Sequence, residues 1–455
     1  LMYKKIELEC TPDKIERAYD AYVQCDIEVG EWESSVSIDS LIEFHQMSSL
    51  LFSGPFSEVN RKIRDYQIRP YHGPGNTADR RIANAKWVFD EWTERLESVF
   101  PHWLYANFRG YSSEVYSGIN FREPGAELPV KVVHVPKTLE TPRIIAEEPT
   151  CMMYMQQGIA SALKDAIDSS FLEPLIGTTY QEPNQRLALE GSLTGELATL
   201  DLSEASDRVS NLLVMTMMSN FPHLNDAVQA TRSMTANVPG HGVIELHRFA
   251  SMGSALCFPV ESMVFLTVVL LGIQDANGSR FSSVGEISRL AGRVRIYGDD
   301  IIIPVSATRH VIERLEAFGF KVNQNKSFWT GKFRESCGKE YYGGEDVTLC
   351  RVKHPLPSSR ADVDEVVSAS SFRNHAYWRG LWKTSAWMDK LLSEFMPYPV
   401  VTESSVIIGK HSVLGIPQYE LCPRLHVPLV KGLKVRFRRR FSPIDGEAAL
   451  MKTLS

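Results

Sequence analysis

Apolar positions along the chain change period several times, and each change predicts an element. Apolar residues recur at helical spacing, interleaved with Trp and Glu, over residues 85–100. Val130-Lys131-Val132-Val133-His134-Val135 predicts a strand ending at Pro136-Lys137. Arg143-Ile144-Ile145-Ala146 predicts a second one after the Thr141-Pro142 turn. The two form a hairpin that presents Lys131, Lys137 and Arg143, read equally well as a solvated edge or as the charged rim of a site.

Leu197–Leu200 predicts a strand ending in the carboxylate of Asp201. Residues 203–207 then offer several caps before Val209, Leu212, Leu213 and Met217, which recur at helical spacing. The longest apolar stretch, residues 263–273, is about half of the ~20 residues that a bilayer span needs, and it predicts a buried helix. Residues 294–296 and 301–305 are β-type runs separated by Tyr297-Gly298-Asp299-Asp300, a tight hairpin with two adjacent carboxylates at its tip. Ser306 is placed to cap a helix carrying Val311, Leu315 and Phe318, ended by Gly319. The last hundred residues predict a separate, mainly helical region with Trp378, Trp382 and Trp387.

Composition narrows the class. Apolar residues make up 44% and charged residues 23% of the 455, a globular balance that disfavours disorder, collagen and coiled coil. The formal net charge of −6 argues against a protein that coats nucleic acid by bulk charge, but not against an enzyme with one basic channel. Seven cysteines, none in a CxxC pair, fit a reducing compartment better than a disulfide framework or a zinc site. Tyr3-Lys4-Lys5-Ile6-Glu7 lacks the pattern of a signal peptide, and neither a membrane span nor a membrane partner is expected. The His72-Gly73-Pro74-Gly75-Asn76-Thr77 break, with Arg80-Arg81 after it, reads as a surface loop or as a loop laid against phosphate.

Asp201, Asp299 and Asp300 carry the sharpest chemistry. Adjacent aspartates at an apolar hairpin's tip disfavour each other's ionisation, and a divalent cation relieves that repulsion. Magnesium accepts one or two carboxylates and completes its shell with water and substrate phosphates. Two such ions about 4 Å apart activate an attacking oxygen and stabilise a leaving one. A bare Gly-Asp-Asp is most often only a turn; the apolar runs on both sides and the strand-final Asp201 upstream shift the balance to chemistry.

At these residues the chain resembles a family: RNA-dependent RNA polymerases, and among them the replicase subunit of single-stranded RNA bacteriophages (leviviruses, Qβ type). Residues 198–207 look like polymerase motif A in its phage form. Ser251-Met252-Gly253-Ser254 through Phe258, then Glu261-Ser262, is similar to motif B, and Tyr297-Gly298-Asp299-Asp300 matches motif C. Residues 333–342, with Asp346-Val347-Thr348, are close to the stretch behind the palm in the phage enzymes. Residues 133–149, with Pro136-Lys137 and Arg143, are similar to motif F, which lines the tunnel through which nucleotides enter. The resemblance is firm over residues 131–351, loose before and weak after.

The resemblance implies an α+β right-hand polymerase fold of fingers, palm and thumb, with an antiparallel palm sheet carrying the carboxylates. It divides the chain into an N-terminal fingers region (1–130), fingers with the nucleotide hairpin (131–190), a palm (191–352) and a thumb or C-terminal region (353–455). It also implies RNA-directed RNA synthesis from ribonucleoside triphosphates on an RNA template, with two Mg2+ ions, Mn2+ able to substitute, and initiation without a primer. Asp201 and Asp299 would hold the ions, with Asp300 a weaker ligand or electrostatic support. Lys137 and Arg143, with Lys131 beside them, would bind the triphosphate, and Lys326 of motif D would protonate pyrophosphate. Asp207, Ser251 and Ser254, around Gly253, are the candidates for the ribose 2′-hydroxyl.

Implied partners are the host elongation factors Tu and Ts, and the implied setting is the cytoplasm of a bacterial host. Three departures stand out. Cys257 replaces a Thr of other RNA polymerases, Glu140 stands where relatives often carry a base, and the chain is shorter than usual for the family at both ends. Six basic residues with no acid among residues 431–440 read as an RNA or host-protein contact or as a solvated edge. Two rivals remain: a reverse transcriptase, against which Gly298 and residues 333–342 count, and a non-catalytic RNA-binding protein on a polymerase scaffold.

Overall fold

The computed structural model describes residues 6–106, 118–417, 419–436 and 443–454. The chain forms two compact units, each built from separate stretches. One contains residues 1–15, 135–143 and 349–441; the other contains 16–134, 144–348 and 442–455.

The larger unit is built on buried helices. Ile38–Arg64 buries Phe44, Met47, Leu51, Phe52, Phe56, Val59 and Ile63 at helical spacing, and Ser37 caps it by accepting from the Ser40 N–H at 3.1 Å. Cys257–Asn277 contains the expected apolar stretch and is buried all round from Val260 to Ile273. It is long and apolar enough to cross a membrane, yet it is packed inside this core. A Cβ on its Gly272 would stand 2.6 Å from Val311 Cα, so glycine here lets Thr308–Ala317 close directly onto it.

A three-stranded antiparallel sheet carries the hairpin. Its order is Leu197–Leu200, Asp300–Pro304, Arg295–Tyr297. Ile301 pairs with Leu200 and Ile302 with Thr199, while Asp300 pairs with Tyr297. The central Ile301, Ile302 and Ile303 are all buried, which explains an unbroken apolar run where one-sided burial would give alternation. Thr199 also exchanges hydrogen bonds with Phe328 on its other side, at 3.0 and 2.7 Å.

The basic hairpin forms as expected from Val130–Val135 and Arg143–Glu147. It belongs to a four-stranded sheet completed by Thr235–Val238 and Gly242–Glu245, two strands that the apolar pattern did not announce.

Some local expectations are corrected. Residues 85–100 hold a 3-10 turn (Ala83–Trp87), a short strand (Glu91–Thr93) and a helix (Glu94–Val99) instead of one helix. The strand pairs in parallel with Asn120–Arg122, and Thr93 ends it by capping the helix, accepting from the Leu96 N–H. The caps of two later helices also shift. Ser210 caps Asn211–Met218, after residues 206–208 have formed a 3-10 turn. Ser306 lies inside the turn Val305–Ala307 and does not cap Thr308–Ala317.

The smaller unit packs Val363–Trp378 and Trp382–Ser393 over Ile6, Val352, Met396 and Tyr398. The Glu7 N–H donates to the Lys353 carbonyl at 2.6 Å. Arg373 is buried on Asp389 at 2.7 Å, with the Tyr377 ring beneath its guanidinium. Beyond these helices the described residues among 394–436 are mostly irregular, so the final stretch is less helical than expected. All seven cysteines are free thiols.

Candidate active site

The register of the sheet gathers the motif residues. Leu200 opposite Ile301 brings Asp201 and Asp300 to the same end of adjacent strands, next to the turn Gly298-Asp299. Gly298 has a φ of +58°, the left-handed value that a two-residue hairpin asks of its first turn residue. A Cβ there would stand 2.8 Å from Phe258 Cε2 and 3.0 Å from Glu261 Oε1. The Gly298 N–H donates to Ser262 Oγ at 3.0 Å. The turn is thus seated on the helix Cys257–Asn277.

The three carboxylates have different surroundings. Asp201 Oδ2 accepts from Asn323 Nδ2 at 3.0 Å and pairs with Lys326 Nζ at 3.4 Å. The Asp201 N–H donates to Ser327 Oγ at 3.1 Å, and its carbonyl accepts from the Asn323 N–H at 2.8 Å. The loop behind the strand therefore holds Asp201 and also brings Lys326 to it. Asp300 instead turns to the hairpin Phe333–Ser336 and Lys339–Tyr342, accepting from the Cys337 N–H at 2.9 Å and Ser336 Oγ at 3.1 Å. Burial pushes its carboxyl up to about 6, with the Asp299 charge adding and the Cys337 N–H opposing. That contact gives the residues 333–342 singled out in the sequence a physical task.

Glu261 lies beneath the turn. Burial pushes it up to about 8, opposed by its hydrogen bond from Ser206 Oγ (2.5 Å) and reinforced by the Asp299 and Asp207 charges. Cys257 donates weakly to the same carboxylate at 3.9 Å, so its thiol faces Glu261 and is buried.

The loop 251–254 is fixed on three sides. Ser251 is buried, its hydroxyl 2.8 Å from Tyr22 Oη. Gly253 has a φ of +133°, and a Cβ there would lie 2.0 Å from the Ala146 carbonyl oxygen, so only glycine fits against that strand. Ser254 Oγ donates to Gln156 Oε1 at 3.0 Å.

Asp207 pairs with Arg248 Nη1 at 2.6 Å, and Lys131 with Glu147 at 3.0 Å. Lys137 and Arg143 lie at the hairpin tip that belongs to the smaller unit, and Arg143 is exposed. In the basic stretch 431–440, residues 437–440 lie outside the described residues. The 72–77 loop is tied to the residues around it. Its Gly73 carbonyl accepts from Lys86 Nζ at 2.8 Å, and His72 packs among Trp87, Phe89 and Tyr154.

Among the described residues no three His, Cys, Asp or Glu side chains gather tightly enough to hold an ion as they stand. The donor chemistry nonetheless suits a hard cation. Asp201 offers an all-oxygen ligand already facing a Lys cation, at the sheet end shared with the turn of Asp299. Asp300 is the carboxylate of the three with its oxygen committed to the neighbouring hairpin.

The sequence reading missed Tyr22, Asp26, Arg248, Gln156 and Glu148. Each acts across a long separation, and no local spacing marks it.

The family model described as RNA replicase, beta-chain matches residues 125–383. The RNA-directed RNA polymerase subunit beta of Enterobacteria phage SP is 34% identical over 257 residues, covering 56% of this chain and 41% of that protein. The beta chain of Escherichia phage MS2 is 37% identical over 225 residues, covering 50% and 38%. That of Escherichia virus Qbeta is 35% identical over 257 residues, covering 56% and 40%. The chain thus spans about two-fifths of the length of the curated relatives it matches. The matched residues 125–383 are more than half of the chain and contain the aspartate-bearing sheet, its glycine turn and the loop 251–254: the chain belongs to the RNA replicase beta-chain family.

Proposed function

We propose that the chain is the catalytic part of an RNA-directed RNA polymerase that copies a single-stranded RNA phage genome from ribonucleoside triphosphates. The observation that carries this reading is the register that places Asp201 beside the Gly298-Asp299 turn, within a replicase family match. Asp201 and Asp299 would hold two Mg2+ ions, which when bound supply the charge that activates the attacking 3′-hydroxyl and stabilises the pyrophosphate. Asp300 braces the turn through Ser336 and Cys337. Lys326, already on Asp201, gives a proton to the departing pyrophosphate.

For Lys137 and Arg143 the proposed role is to bind the triphosphate, with Lys131 adding charge along the same strand pair; a guanidinium fork and a point charge both suit phosphate oxygens. Asp207, assisted by Ser251 and Ser254, reads the ribose 2′-hydroxyl. Initiation without a primer, assembly with host elongation factors Tu and Ts, and work in the bacterial cytoplasm complete the reading.

The test is Asp299→Asn. Template-directed ribonucleotide incorporation falls to background while RNA binding survives; equal activity in variant and wild type removes the assignment. Running the assay with and without bacterial lysate measures the need for host proteins. A preference for deoxyribonucleotides would point to reverse transcription instead.

A further inference from the structure

A buried network joins three distant parts of the chain behind the ribose candidates. Arg248 is fully buried. Its Nε donates to Asp26 Oδ1 at 2.8 Å, its Nη1 meets Asp207 Oδ1 at 2.6 Å, and its guanidinium lies 4.0 Å over the Tyr22 ring. Asp26 also accepts from the backbone N–H groups of His247 and Arg248, at 3.0 and 3.1 Å, which fixes where the guanidinium starts. The Tyr22 hydroxyl continues to Ser251 Oγ at 2.8 Å. Asp207 Oδ1 and Arg248 Nη1 have no other hydrogen-bond partner among the described residues. The Asp207 side chain is 21% exposed, and since Oδ1 is sealed, that exposure falls on its other atoms.

The helix Pro12–Ser35 thus holds both Asp207 and the loop 251–254 through one guanidinium and one phenol. A fully buried charge is costly unless its partners are placed well, and replacing such a pair with apolar groups is often neutral for stability. Stability alone therefore does not account for it. Reading a hydroxyl does call for a fixed acceptor: a site built to bond a substrate hydroxyl rejects the analogue lacking it by about 10⁴–10⁵. That rejection decays when the acceptor shifts by as little as about 1 Å.

We propose that Arg248 is a positioning residue for sugar selection: it fixes the Asp207 carboxylate, and through Tyr22 the Ser251 hydroxyl, so that ribonucleotides are chosen over deoxyribonucleotides. This rests on the polymerase reading above. Arg248→Lys keeps the charge but lacks the fork that spans Asp26 and Asp207 at once. Tyr22→Phe keeps the ring under the guanidinium and removes only the link to Ser251.

The experiment measures kcat/KM for a ribonucleoside triphosphate and its 2′-deoxy analogue on one RNA template, using the full chain purified from bacterial cells. The readout is their ratio, in which the fraction of folded enzyme cancels, so a purely structural role leaves it unmoved. The ratio is expected to fall about 10-fold in Arg248→Lys and about 3-fold in Tyr22→Phe, chiefly through a rise in deoxynucleotide use. If Arg248→Lys does not fold, Tyr22→Phe decides alone. Unchanged ratios in folded variants, with an active wild type, overturn the positioning role and leave the polymerase reading intact. A wild type that incorporates neither nucleotide overturns both.

Discussion

The two hairpins that carry the candidate chemistry are built in opposite ways. The acidic one, Arg295–Tyr297 with Asp300–Pro304, has buried isoleucines in its strands and a turn pressed onto Phe258, Glu261 and Ser262. The basic one is anchored in its strands by Val130, Val132 and Ala146, but its tip is held by a few polar bonds, from its own residues and from Lys14. Thr138 Oγ1 accepts from the Glu140 and Thr141 N–H groups at 3.3 and 3.0 Å, and Lys14 Nζ donates to the Leu139 carbonyl at 2.6 Å. On the proposed function, carboxylates sharing an ion would tolerate little displacement, whereas cations holding a flexible triphosphate could follow it. Packing is spent where geometry must be fixed.

The strongest way to break this contrast is to disturb the acidic turn without touching a carboxylate. Gly298→Ala forces a Cβ into the left-handed region and against Phe258. It is expected to cost about 2–4 kcal/mol in a denaturant melt and at least about 100-fold in incorporation. A variant with wild-type activity would show that the turn is not pressed as described.

Next comes Glu148, which directly follows the basic hairpin and is buried, 2.6 Å from Ser233 Oγ. Burial raises its carboxyl from 4.5 to about 7, with the Ser233 and Gln156 hydrogen bonds opposing. A folded value above the unfolded one gives stability that is complete below pH 4.5 and is lost as pH rises through 7. Glu148→Gln should therefore gain on the wild type as pH goes from 5 to 8, by up to about 3 kcal/mol in melts. A gap that stays constant with pH would contradict this.

At the basic tip the effects should be smaller and confined to binding. Lys137→Ala and Arg143→Ala are each expected to raise the KM for nucleotide about 10-fold, with the melting temperature within about 2 °C of wild type. Thr138→Ala should cost about 1 kcal/mol at most and speed amide exchange at Glu140 and Thr141, leaving the acidic turn's exchange unchanged.

The same contrast explains what could be read from the sequence. The acidic hairpin was legible because each requirement is local: two apolar runs, a glycine at the turn and a carboxylate at a strand end. The basic hairpin was legible as strands, but its partners Thr235–Val238 and Gly242–Glu245 were not, since sheet pairing joins residues about a hundred positions apart. Residues 85–100 misled because aromatic residues such as Trp92, fully buried, mimic a helical stripe while serving three short elements. Ser306 was a plausible cap by type, and backbone geometry placed the helix start two residues later. Tyr22, Asp26 and Arg248 carry no local signature. Their meaning arises only when the helix Pro12–Ser35 is laid against residues 207 and 251.

The bond from the Glu7 N–H to the Lys353 carbonyl has a consequence for how the chain is made. The two residues leave the ribosome roughly 350 positions apart, about 20–70 s of elongation at about 5–20 residues per second. Throughout that interval the first residues of the smaller unit can meet only the 135–143 tip and lack residues 349–441, which complete their core, while the helices and sheet of the larger unit are emerging. The core of the larger unit can therefore condense before the smaller unit's segments 1–15 and 349–441 are joined. A ribosome stalled before residue 349 would hold a chain with the aspartate-bearing sheet formed and the bond from Glu7 to Lys353 still unmade.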